Sequence, residues 1–132
     1  MHIREKLRSV LIIDDDQHTL SISSVVLSSM ANLQVYTCRS GAEALAIVGD
    51  IKPDLLLLKL SPDLAGVTTL TNIRNLPGLI ATRAIFFVSG DLGSALDHEK
   101  LGAIGLIRKP FELMLLSEQV LQLWERQVLT VK

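Results

Sequence analysis

Five residues could act together if a fold gathered them. Asp14 and Asp15 follow one short apolar run, Lys59 ends a second, Ser89 a third, and Lys109 comes just past a fourth. Two carboxylates and two ammonium groups sum to zero charge, so mutual ion pairing is the simplest chemistry open to them. Ser89 adds a hydroxyl that can donate or accept. No nucleophile–base pair is visible in the sequence, which argues against a hydrolytic enzyme. The turn after the first run has aspartates where a phosphate cradle wants Gly, Ser or Thr. That argues against a small-ligand or flavin-binding protein, the alternative from another class. His2, His18 and His98 are dispersed and mark no metal site.

The elements that must position these residues alternate along the chain. Residues 9–13 form a short apolar run that suits a buried strand. Residues 17–30 carry apolar positions at helical spacing, with Asp16 as the expected N-cap. A second strand is predicted over 33–38. Ser40 and Glu43 have the capping-box spacing and open a helix to Val48. Four leucines over 55–58 are too few for a helix and suit a strand buried on both faces. Helices over 67–75, 93–101 and 111–127 and strands over 84–88 and 105–107 complete the pattern. Five strands alternating with five helices predict an α/β fold, a parallel sheet with helices on both faces. In such a sheet the working residues sit past the carboxyl ends of the strands. The five chemical residues all stand there.

The chain has 132 residues, which suits one domain, with its core expected over 9–127. Thirteen basic and fourteen acidic residues leave no basic excess for direct nucleic-acid binding. No apolar stretch approaches the ~20 residues of a membrane span. One cysteine, Cys38, allows no intrachain disulfide and fits a reducing compartment, so a cytoplasmic location is expected.

Four segments, VLIIDDD, PDLLLLKL, FFVSG and IRKPF, resemble in order and spacing the landmarks of the receiver domains of two-component signalling. The resemblance runs from Val10 to Trp124. It implies a single flavodoxin-like (βα)5 doubly wound sheet of strand order 2-1-3-4-5, an order this fold class commonly takes. It implies that Asp14 and Asp15 stand where the family binds Mg²⁺. Ser89 and Lys109 match positions that contact a phosphoryl group, and the Lys109–Pro110 bond is implied to be cis.

The departures from the family's pattern carry as much. The family's phosphoacceptor Asp ends the third strand, and here that position is Lys59. An amine there cannot form the acyl phosphate. The following loop, residues 60–66, is one residue short, and the switch aromatic is replaced by Leu106. The expectation is a receiver without phosphorylation chemistry and with no cofactor, Mg²⁺ being doubtful. Lys59 is expected to pair with Asp14 or Asp15, at or beside the metal position. Were that pair deeply buried, removing one partner would cost roughly 3–5 kcal/mol. The plainer readings are a capped turn for Asp14–Asp16, solvated lysines and an ordinary turn serine. A second alternative, an active receiver using Asp63, faces poor geometry, because Asp63 lies four residues past Lys59.

Function then falls to a surface, with another signalling protein or an output domain as partner, or a homodimer through the last helix. On a helical projection Leu113, Leu116, Val120 and Leu123 face the core. Met114, Leu115 and Leu121 are left for a partner. Trp124 is a candidate for either place.

Overall fold

A computed structural model describes residues 6–93 and 96–130. Five strands, β1 (Ser9–Ile13), β2 (Gln34–Cys38), β3 (Leu55–Lys59), β4 (Arg83–Ser89) and β5 (Gly105–Lys109), form one parallel sheet of order β2-β1-β3-β4-β5. The helices are α1 (Gln17–Met30), α2 (Gly41–Ile51), α3 (Ala65–Arg74), α4 (Gly90–Gly93) and α5 (Leu116–Thr130). The expected fold class and strand order are both present.

Alternation along the strands builds two cores, because successive side chains leave opposite faces of a sheet. Ile12, Leu57, Ile85 and Phe87 face α1 and α5, where Leu27, Leu116 and Val120 meet them. Leu11, Leu56, Leu58 and Phe86 face α2 and α3, where Ala44, Val48, Leu70 and Ile73 meet them. The four leucines of β3 are at most 1% exposed, so this central strand has no solvent face.

The helix starts follow their local chemistry. The Asp16 side chain accepts from His18 N–H at 3.0 Å and caps α1. Ser40 accepts from Glu43 N–H at 3.1 Å, and Glu43 reaches back to Arg39 N–H at 2.6 Å, one residue before the cap. Leu64, preceding α3, sits at φ 61° without a side-chain cap. That conformation costs a non-glycine residue roughly 1–2 kcal/mol.

Two expectations need correction. The fourth helix is not the one predicted over 93–101. It is a single turn at Gly90–Gly93, and residues 98–102 form turns; residues 94 and 95 lie outside the described residues, as do the ends of the 1–132 span. Gly90, Gly93 and Gly102 favour turns over a continued helix, because glycine loses most entropy on helix formation. The last helix starts at Leu116, not Phe111. Residues 113–115 form a 3-10 turn, so the projection drawn from Phe111 has the wrong phase there. Leu113, expected in the core, is 41% exposed, whereas Trp124 is 3% exposed and lies in the core under the Arg83 guanidinium, 5.2 Å from its ring. Trp124 is therefore not part of a partner face. Leu121 packs partly against the core, and Met114 and Leu115 are exposed at 66% and 46%.

Candidate functional site

Strand register decides which chemical side chains meet. Ile13 lies beside Cys38 on one side and Leu58 on the other, so Asp14 leaves the sheet between β2 and β3. Lys59 pairs with Phe87, and Ser89 with Lys109. The chain order reverses between β1 and β3, and at such a switch point α/β sheets open a crevice. Asp14, Asp15, Lys59, Ser89 and Lys109 gather along this carboxyl edge, as the sequence predicts.

Within the cluster the two aspartates differ. The Asp14 side chain is fully buried, and its Oδ2 accepts from Lys109 Nζ at 2.5 Å. Its Oδ1 accepts from Asp16 N–H at 2.9 Å, so both oxygens are engaged. Asp15 points outward, 68% exposed at the side chain, and Lys59 Nζ donates to its Oδ1 at 2.7 Å. The Lys59 side chain is itself 41% exposed. Lys59 does pair with one of the two aspartates, but burial is not deep, and the scale of a buried pair does not apply to it. An exposed pair contributes about 0–1 kcal/mol. The deeply set pair is the other one, Asp14–Lys109.

Titration follows these contacts. The hydrogen bond from Lys59 holds the Asp15 carboxyl below its usual range, and the same bond holds Lys59 above the usual lysine range. Asp16 is lowered first by Thr19 Oγ1, which donates to its Oδ2 at 2.9 Å, and then by the His18 amide. Burial pushes the Cys38 thiol up to about 11, so it is an inert core group.

The remaining predicted residues stand as follows. Ser89 is exposed, and its Oγ accepts from Leu92 N–H at 3.4 Å, a long and weak bond. Leu106 is half-buried against the α2–α3 core. Lys109–Pro110 is cis. The Asp63 Oδ1 accepts from Ala65 N–H at 3.0 Å, an Asx turn just before α3. The short loop after Lys59 closes tightly, since a Cβ on Gly66 would lie 2.6 Å from the Lys59 carbonyl oxygen.

Two features escaped the sequence. Arg39 Nη2 donates to the Asp15 carbonyl at 3.2 Å and adds a third cation at this edge. With Asp16 counted too, three carboxylates face three cations. The second is a cleft of about 610 Å³ beside the ion pairs, between the start of α1, the loop after β3 and the β5–α5 connection. Phe87 and Phe111 stack beneath it at 5.4 Å. A signal existed: the chain has three phenylalanines, and period-two alternation sends Phe87 to the α1–α5 face while Phe86 goes to the other.

The chain's relatives agree with this architecture. The family model for the response regulator receiver domain matches residues 10–121. The chain is 29% identical over 111 residues to transcriptional regulatory protein FixJ of Rhizobium meliloti, covering 80% of this chain and 52% of that protein. It is 28% identical over 104 residues to sporulation initiation phosphotransferase F of Bacillus subtilis, covering 78% and 83%. It spans about half of the first of these proteins and most of the second. Among solved structures, chemotaxis response regulator CheY4 of Vibrio cholerae superposes with a TM-score of 0.76 at 22% identity, covering 89% of this chain and 99% of that one.

Proposed function

This chain belongs to the response regulator receiver domain family of two-component signalling, and we propose that it is a receiver that works without phosphorylation, as a protein-binding module. The observation that carries this reading is Lys59 at the carboxyl end of β3, hydrogen-bonded to Asp15 at 2.7 Å. An amine at that position cannot form an acyl phosphate, and the bond holds its charge in place. Asp63 is poorly placed as a substitute, since it lies four residues past Lys59 in the loop before α3, where its Oδ1 accepts from Ala65 N–H.

The donor set does not suit Mg²⁺ either. That ion takes oxygen ligands in near-octahedral array and relies on carboxylates free to reach it. Here each aspartate of the pair already holds an ammonium group. Among the described residues no three acidic, His or Cys side chains are grouped to hold a metal. The cations do the neutralising that a divalent ion would otherwise do.

Signalling then passes through contact with another signalling protein or an output domain. One relative is named as a transcriptional regulator, and this chain matches 52% of it, which leaves room there for an output part. The exposed Met114 and Leu115, on the turn before α5, form the contact surface, and thioether flexibility suits such contacts.

The test is an amide NMR spectrum titrated with Mg²⁺ and then with beryllium fluoride, a phosphoryl mimic. The expected result is no shift at Asp14, Lys59 or Ser89. Saturable shifts at those three residues would overturn the reading.

A further inference from the structure

The cleft beside the ion pairs has a chemistry of its own. Its volume, about 610 Å³, lies within the roughly 300–1,000 Å³ of small-molecule sites. Its walls are mainly apolar, with Ile22, Pro62, Pro110, Phe111 and Leu113 presenting carbon to the opening. Three donors stand at one end, Lys59, Lys109 and Ser89. Each ammonium has three N–H groups. Each gives one to its aspartate, which leaves others to donate. The Ser89 oxygen accepts from Leu92 N–H, which leaves its proton to donate.

The spare N–H and O–H groups favour an acceptor at that end. Asp14 and Asp15 do not line the cleft, and each takes one N–H of its lysine. Asp16 is the one acidic residue of the lining, and its two oxygens already accept from His18 N–H and Thr19 Oγ1. The cleft thus combines an apolar body with an end rich in hydrogen-bond donors.

We propose that this cleft binds a small amphipathic monocarboxylate, its carboxylate on the Lys59, Lys109 and Ser89 donors and its hydrocarbon part against Phe111, Ile22 and Leu113. Inorganic phosphate would leave the apolar walls uncovered, and a neutral alcohol offers the donors one oxygen where a carboxylate offers two. The inference rests on the phosphorylation-free reading, because a phosphoryl group would claim the same donors. Where an ordinary receiver would respond to phosphorylation, this one would respond to such an acid.

The experiment titrates the chain with octanoate, 1-octanol and inorganic phosphate separately, followed by amide NMR. Octanoate is expected to give saturable shifts at Ile22, Ser89, Phe111 and Leu113, with an affinity at least about tenfold above that of octanol. Phosphate is expected to give none. Leu113→Trp, at an exposed position on the rim, fills the mouth and is expected to abolish binding with the rest of the spectrum retained. Lys59→Met is expected to weaken octanoate and leave octanol unchanged. Octanoate shifts that are absent, lie outside the cleft, match those of octanol or persist in Leu113→Trp would overturn the proposal. A parallel titration with beryllium fluoride separates the two readings. Shifts with that mimic count against the phosphorylation-free reading, and silence toward both it and octanoate counts against the ligand site alone.

Discussion

Asp14 and Asp15 are neighbours of the same type, each bonded to a lysine, yet they occupy opposite environments. Asp14 is fully buried with both oxygens engaged, while most of the Asp15 side chain faces water. Alternation at the end of β1 separates them, since successive side chains leave a strand in opposite directions. The cost of removing an ion-pair partner depends on what is left behind. For Asp14 that would be a charge with no water near it; for Asp15 it would be an ordinary surface carboxylate.

The largest effect should come from the buried side. Lys109→Met strands the Asp14 carboxylate and is expected to cost about 3 kcal/mol in urea denaturation. A loss within about 1 kcal/mol would mean that solvent reaches Asp14 and that the contrast is false. Adding Asp14→Asn should recover about 2 kcal/mol, because no charge remains buried and the amide oxygen can still accept from Asp16 N–H.

Lys59→Met, on the exposed side, should cost no more than about 1 kcal/mol at neutral pH. Its pH dependence is more telling. The Asp15 carboxyl is lowered from 3.8 by Lys59, so the folded state holds that proton less tightly than the unfolded chain. Stability from this pair is therefore present above 3.8 and is lost as pH falls through the lower, folded value. Lys59 is raised from 10.5, so its share is present below 10.5 and is lost as pH rises through the higher, folded value. Lys59→Met should flatten the stability profile slightly at both extremes, measured by urea midpoint against pH. A profile identical to that of the parent would show that the pair contributes nothing in solution. The smallest effect is expected at the exposed turn, where Leu115→Ser should change stability by less than about 0.5 kcal/mol. A loss above 1 kcal/mol would place Leu115 in the core of the protein in solution.

Much of this molecule was legible in order. Short apolar runs alternating with helical periodicity determine a parallel α/β sheet, because runs as short as the four leucines of β3 can be satisfied only by burial on both faces. The ends of those runs named the five clustered residues, since the strand ends of a parallel sheet share one edge. Helix caps at Asp16 and Ser40 were legible too, because a cap depends on side chains within one turn.

Tertiary structure decided the rest. Which aspartate is buried depends on β1 lying between β2 and β3, a fact of strand order and not of local sequence. Trp124 lies inward and Leu113 outward because α5 begins a turn and a half later than its apolar spacing suggests, after a cis proline and a 3-10 turn. The cleft is assembled from α1, two loops and the ends of three strands. Sequence determines what each segment can bury locally; only the packed chain determines which surfaces remain unmatched between segments.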